Sequence, residues 1–333
     1  MKNTVSIVVP VYNVSNHIER CLHSLFRQTY NQIEYIFIDD CTPDNSVSII
    51  NEILNQYPQR ESQVRIIRHD TNKGLSAARN TGVAAAAGEF IQHIDSDDFV
   101  DIHMVEDMMR AMLAENADIV ISDYYLQWKD SQKLVKGHYY KNKRKLIRSL
   151  LTGEFSPAVW NKMFRKSLYL DHQITAIEGV NYGEDLTVTP QLIYFADKIV
   201  KIDKAYVHYL QYNANSYTKK VSEKNLQDIS YVYRYLYNFF YKHKDRDYYI
   251  DALKYGELKK KVELMKQINP KDIKLINKYF AKHLASAHLY DKLNYFDKVL
   301  LLLNEKKVYN LLSTTIFFYQ KTQSSFQYLK NRK

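Results

Sequence analysis

A chain of 333 residues with 46% hydrophobic content can bury a sizeable core, and its length suggests about two domains. Its first strong apolar stretch, Val5 to Val11, is too short for a membrane span and lacks a signal-peptide cleavage site, so a cytoplasmic protein is expected; two cysteines, Cys21 and Cys41, exclude a disulfide-stapled scaffold. The net charge of +10 is uneven: from Lys219 onward 24 Lys/Arg face 11 Asp/Glu, while the remainder carries 23 against 26, a division that points to chemistry in front and attachment behind.

Strand and helix signals alternate through the front half. Val5–Val11 is a continuous apolar run, as a strand buried on both faces requires. The stripe Ile18, Cys21, Leu22, Leu25 and Phe26 predicts a helix capped by Ser15 or Asn16, with Cys21 a reduced core thiol. Ile33–Ile38 is a second strand ending at Asp39-Asp40. Thr42-Pro43-Asp44 then predicts an N-cap with proline at the first helical position, leading a stripe of Val47, Ile50, Ile53, Leu54 and Tyr57 that Pro58 stops. Val64–Ile67 is the third strand, Gly74 through Ala87 the third helix, and Phe90–Ile94 the fourth strand. A helix over about 105–115 and a strand at Ile119–Ser122 complete the series. Such alternation predicts an α/β fold with a mostly parallel sheet and helices on both faces. Signals are mixed from about 140 to 218. Beyond 223 the chain reads as helical and lysine-rich, with Tyr231, Tyr235, Asn238 and Phe239 on one stripe and Leu300–Leu303 on another. Composition places a boundary near 218–225, giving domains at 1–220 and 221–333.

Four sheet-end segments can share one crevice, because open α/β sheets bind ligands at their strand C-termini. At Pro10-Val11-Tyr12-Asn13, a tyrosine leaving a strand can stack on a flat base while Asn13 caps or hydrogen-bonds. At Asp39-Asp40, one carboxylate can accept the N3–H of a uracil ring. In the segment Asp70 to Asn80, Gly74 permits a tight turn, and the helix that follows points its N-terminal amides and Arg79 toward the crevice, which attracts phosphate. Taken on its own, Arg79 better suits pairing with a neighbouring carboxylate, and P-loop spacing is absent. The fourth segment, Asp95-Ser96-Asp97-Asp98, gathers three carboxylates that repel one another unless a cation, or a metal carrying phosphate, sits among them. His69 and His93 fall within predicted strands and read as core or supporting residues.

These residues, in this order, resemble the inverting family 2 glycosyltransferases with the GT-A fold, a Rossmann-like architecture. The resemblance runs from about Thr4 to Thr218 and implies a nucleotide half to about 125 and an acceptor half at about 126–220. It rests on Ser6 to Asn13, Ile38-Asp39-Asp40, Asn72 to Gly82, Asp95 to Asp98, Trp160-Asn161-Lys162 and Gly183-Glu184-Asp185. It implies a UDP-sugar donor and a hydroxyl acceptor on a glycan or lipid-linked molecule, in bacterial surface-polysaccharide assembly. Tyr12 would stack on uracil and Asp40 bond to it, within a nucleotide site that includes Pro10, Asn13, Asn72, Gly74 and Ser96. Arg79 would lie along the nucleotide and Asp95 touch the ribose. Asp97, with Asp95, would hold Mn²⁺ or Mg²⁺ bridging the diphosphate, leaving Asp98 to the helix side. Asp185, rather than Glu184, would be the base. The segment His208 to Ser216 resembles the family's loop closing over the diphosphate. Relatives carry Arg or His where this chain has Asn213, so Gln211, Asn213, Ser216, Lys219 or Lys220 would have to substitute.

Two alternatives compete. A sugar nucleotidylyltransferase would need a Gly-rich, Arg-containing loop after the first strand, where Pro-Val-Tyr-Asn stands. A non-catalytic sugar-nucleotide-binding or scaffold protein is opposed by the intact Asp95/Asp97 and Glu184/Asp185 pairs. No helix-turn-helix or zinc spacing points to nucleic acid. The basic, tyrosine-rich rear is expected to lie peripherally against anionic lipid on the inner face of the plasma membrane, or to pack as a structural subdomain.

Overall fold

The computed structural model describes residues 2–212, 221–280 and 287–330. It divides into two compact units, residues 1–150 with 155–214, and residues 151–154 with 215–333. In the first unit β1 (Val5–Val11), β2 (Ile33–Asp39) and β3 (Val64–Arg68) alternate with α1 (Ile18–Phe26) and α2 (Ser46–Leu54). α3 (Leu75–Ala85), β4 (Phe90–His93), β5 (Phe99–Val100) and α4 (Met104–Ala114) follow, then β6 (Ile119–Gln127), β7 (Gln132–Val135), α5 (Lys143–Leu151), β8 (Lys162–Arg165), α6 (Ser167–Asp171), α7 (Glu184–Phe195) and β9 (Ile199–Leu210).

All seven residues of β1 and all seven of β2 are buried, which is why both read as mainly apolar rather than alternating; their polar interruptions, Ser6 and Glu34, hydrogen-bond to each other at 2.6 Å, and β2 ends on Asp39. The sheet order is β3-β2-β1-β4-β8-β6-β9-β5, with β7 hydrogen-bonded to β6. Its first part, β3-β2-β1-β4, is parallel throughout, as the alternation predicts. β6 does not pair with β4; β8 lies between them, antiparallel to both, and β6 pairs in parallel with β9 across irregularities at Ser122, Asp123 and Tyr124. No local pattern reveals that insertion, because β8 is only four residues long and returns from a distant segment.

The helical stripe of α1 is buried as read, with Cys21 in the core. The first-turn expectations shift. α1 starts at Ile18 behind His17, not at a Ser15 or Asn16 cap. Thr42-Pro43-Asp44 forms a turn in which Asp44 accepts from Ser15 N–H, Ser46 N–H and the hydroxyls of Thr42 and Ser46, so α2 begins only at Ser46. His69 lies just beyond β3 rather than within it.

The second unit is helical among its described residues: α8 (Glu223–Tyr241), α9 (Arg246–Gln267), α10 (Ile276–Tyr279), α11 (Ala287–Asp291), α12 (Tyr295–Glu305) and α13 (Tyr309–Lys330). A capping box of Ser222 and Asn225 starts α8. Its buried stripe is Leu226, Ile229, Val232, Tyr233, Leu236 and Phe240, adjacent to the Tyr231–Phe239 stripe of the sequence pattern, whose Tyr231 stays 45% exposed.

Candidate active site

β1 ends at the buried Pro10 and Val11, and the chain then exposes Tyr12 (41%) and Asn13. Asn13 adopts φ +53°, and its N–H donates to Thr42 Oγ1 at 2.8 Å, which ties the exits of β1 and β2 together. A tyrosine so presented can stack on a planar ring.

Asp40 departs from its expected task. It is 3% exposed; Oδ1 accepts from Lys73 N–H at 2.8 Å and meets His69 Nδ1 at 2.7 Å, while Oδ2 accepts from Gly74 N–H at 2.8 Å. His69 Nε2 pairs in turn with Thr81 Oγ1 at 2.9 Å. The carboxylate is thus built into the turn before α3, not offered to a base edge. Asp39 is equally buried, accepting from Thr42 N–H at 2.8 Å and facing Arg68 at 3.4 Å. Gly74 holds φ +87°, and a Cβ there would come within 2.7 Å of the Asn181 side chain, so the turn requires glycine. Asn72, two residues earlier, is exposed.

Arg79 departs from the role that the resemblance implies and takes the carboxylate pairing that its own local pattern favours. It is 5% exposed and does not lie open toward a nucleotide; its guanidinium gathers three carboxylates. Nη1 donates to Glu184 Oε1 at 2.8 Å and Asp185 Oδ1 at 2.6 Å, and Nη2 to Asp95 Oδ1 at 2.9 Å. Two chain segments more than 80 residues apart therefore share one cation, the pairing that a lone arginine near acidic motifs favours. Gly183, at φ +85°, turns the chain into α7, so that Glu184 and Asp185 occupy its first turn beside the positive end of the helix. Burial, then the charge of Asp185, raises the pKa of Glu184 against the pull of Arg79. Burial likewise raises Asp185, with Arg79 opposing and Asp95 adding to the rise.

The loop between α5 and β8 supplies a backbone contact to this pair. Val159 N–H donates to Asp185 Oδ2 at 3.3 Å. The loop is pinned at three successive carbonyls: Lys162 Nζ donates to Ser156 O at 3.0 Å and Ala158 O at 2.6 Å, and Thr189 Oγ1 donates to Pro157 O at 2.5 Å. Lys162 is fully buried, and its third donor reaches Asn161 Oδ1 at 2.8 Å. Burial pushes its ammonium down to about 7, with Asp185 pulling the other way. The Trp160-Asn161-Lys162 landmark carries this residue without revealing its task, since a lysine in a β-strand of four residues normally signals a solvated edge.

Asp97 is half-buried and Ser96 buried in the turn after β4. Asp98 is fully buried; Oδ1 accepts from Leu210 N–H at 2.8 Å, while Oδ2 has no partner among the described residues. Burial, then the charges of Asp97 and Asp95, holds its pKa well above the carboxylate range. His93 is a core histidine: Nε2 meets Tyr169 OH at 3.1 Å, and burial followed by the Arg79 charge pushes its pKa down to about 3. His208 lies between the rings of Phe99 (4.2 Å) and Tyr125 (4.9 Å), with Arg20 over the Phe99 ring at 4.0 Å. Gln211 N–H donates to Gln127 O at 2.9 Å. Asn213, Ser216, Lys219 and Lys220 lie outside the described residues.

Among the described residues no group of three or more His, Cys, Asp or Glu side chains is arranged to hold a metal ion alone. The chemistry of the Asp95–Asp97 turn nevertheless fits a hard divalent cation. Mg²⁺-type sites commonly use one or two carboxylates and take their other oxygens from substrate phosphate and water.

The sequence model described as Glycosyl transferase family 2 matches residues 6–172. The uncharacterized glycosyltransferase EpsJ of Bacillus subtilis is 34% identical over 223 residues, 65% of this chain and 63% of EpsJ, so the chain spans less than two thirds of that relative. S. aureus TarS 1–349 in complex with UDP-GlcNAc superposes with a TM-score of 0.66 at 17% identity, covering 96% of this chain and 92% of that one. The mannosyltransferase PcManGT from Pyrobaculum calidifontis, in complex with GDP-Man and Mn²⁺, superposes with a TM-score of 0.54 at 14% identity, covering 95% and 84%. These likenesses give the fold: a GT-A sheet followed by a helical C-terminal region.

Proposed function

The chain belongs to glycosyl transferase family 2, and from that premise we propose that it is a metal-dependent inverting transferase that moves a sugar from a UDP-sugar to a hydroxyl of a glycan or lipid-linked acceptor, in bacterial surface-polysaccharide assembly. One observation carries the reading: Arg79 draws Asp95 of the acidic turn and Glu184/Asp185 of the α7 N-terminus into one buried cluster. A donor-side carboxylate and an acceptor-side carboxylate are thereby held on either side of a single guanidinium.

In this reading Asp185 takes the proton of the acceptor hydroxyl as its oxygen attacks the anomeric carbon. The bond from that carbon to the diphosphate oxygen breaks, its electron pair leaves with UDP, and one displacement inverts the configuration. A carboxylate raised by burial is a better base near neutral pH than an exposed one. Val159 N–H and Arg79 orient it. Tyr12 stacks on the uracil ring, and Asp40 acts one step back by shaping the turn that Gly74 and Asn72 present. Asp97 and Asp95 would hold Mn²⁺ or Mg²⁺, which supplies charge neutralisation for the departing diphosphate. The UDP choice is supported by the UDP-GlcNAc complex of TarS, and the metal by the Mn²⁺ complex of PcManGT.

The test is a panel of UDP-sugars incubated with Mn²⁺, reading UDP release and product anomer. Metal-dependent UDP release with an inverted product is expected. Release unaffected by chelator, or a product that retains the donor's anomeric configuration, removes the mechanism.

A further inference from the structure

In the helical unit, the contacts of α13 among the described residues lie on one side. Leu312 and Ile316 are fully buried, Ser313 donates to Pro270 O at 2.9 Å, and Tyr319 stacks on Phe296 at 5.2 Å. The opposite side exposes Leu311 (53%) and Phe318 (61%), with Phe317 (53%) at its border. Thr314, Thr315 and Thr322 share that side. Their hydroxyls donate to the carbonyls four residues back, Asn310 O at 2.9 Å and Leu311 O and Phe318 O at 2.8 Å each. With these oxygens engaged inside the helix, the threonines present methyl groups, as they do where a helix faces an apolar medium. From Lys306 to the last residue the sequence holds six Lys/Arg and no Asp or Glu, and Lys306, Lys307 and Lys321 are exposed.

We propose that this face of α13 docks on an anionic lipid bilayer, with Leu311, Phe317 and Phe318 entering the boundary between headgroups and acyl chains while the flanking lysines meet anionic headgroups. An apolar strip with lysine flanks and no acid complements such a surface. A second copy of the chain fits worse, since a two-fold contact through this face would set its lysines against each other. The mode is peripheral: among the described residues no helix is long and apolar enough to cross a membrane. The docking face and the transfer chemistry are separate properties and are read separately.

The full chain is floated with phosphatidylcholine vesicles, with and without phosphatidylglycerol, at low and high salt. Binding is expected only with the anionic lipid, falling as salt rises. The paired change Leu311→Ser and Phe318→Ser should weaken it by about tenfold or more. Lys307→Glu with Lys321→Glu should weaken it and flatten the salt dependence. Circular dichroism and UDP calorimetry should match the parent in both variants. The proposal is overturned if the parent chain ignores anionic vesicles, or if both variants float as it does. It is equally overturned if sedimentation shows a self-association that the Leu311→Ser and Phe318→Ser chain loses while vesicle binding is absent. Absent UDP binding in the parent would count against the transferase reading alone.

Discussion

Arg79 concentrates the electrostatics of the site, because one guanidinium faces three carboxylates, two of which, Glu184 and Asp185, burial already penalises. Removing it leaves those charges without their cation. Arg79→Met is expected to cost about 3–5 kcal/mol of stability at neutral pH, read by denaturant unfolding. The sign of its pH dependence follows from the raised carboxylates. Glu184 and Asp185 hold protons more tightly in the folded chain than in the unfolded one. Their contribution to stability therefore falls as pH rises above the ordinary carboxylate range of about 4. The fall should be steeper in Arg79→Met, and a midpoint temperature independent of pH across that range would reject the assignment. Within the pair, Asp185→Asn should lose about 100- to 10,000-fold in transfer while still binding UDP. Should Glu184→Gln be the inactive variant and Asp185→Asn keep its transfer activity, the base is Glu184.

At the scale of the element, two loops are shaped by buried side chains behind them. The turn into α3 hangs on Asp40, which takes two backbone N–H groups and His69. Asp40→Ala should therefore weaken UDP and CDP to a similar degree and lower stability by about 2 kcal/mol, as loss of hydrogen bonds to a buried charge implies. Selective loss of UDP over CDP, seen by calorimetry, would restore Asp40 as the reader of the base. The loop at 156–159 hangs on Lys162 and Thr189. Thr189→Val keeps the volume and removes one anchor, so kcat should fall several-fold with UDP affinity unchanged. A wild-type kcat in that variant would show the loop to be held well enough without it.

For the whole molecule, ligand binding and stability are linked. UDP with Mn²⁺ at about a hundred times its dissociation constant should add about 2.7 kcal/mol to the unit that binds it. A rise of about 5 °C or more in its unfolding midpoint is then expected. EDTA should remove the metal-dependent part of that rise, and Asp97→Ala should lack it while unfolding cooperatively. An identical rise with and without chelator would dissociate Asp97 from any metal. The charge division acts at the same scale. The −3 of the front residues and the +13 from Lys219 onward put the excess positive charge in the rear part of the chain, while the Asp95, Glu184 and Asp185 cluster sits in front.

What the sequence determined by itself is local and periodic. The apolar runs at Val5 and Ile33, the helical stripe from Ile18 to Phe26 and the order of the acidic motifs place a parallel α/β sheet and its strand ends, because burial on both faces imposes those patterns directly. Which side chains meet was decided only by the tertiary structure. β8 enters between β4 and β6, Arg79 turns from the expected phosphate toward Asp95, Glu184 and Asp185, and Asp40 turns inward to bind Lys73 and Gly74. A charged residue carries the same letter whether it faces a ligand or a buried partner. The choice depends on desolvation and on donors that arrive from segments tens of residues away, and neither leaves a period in the chain.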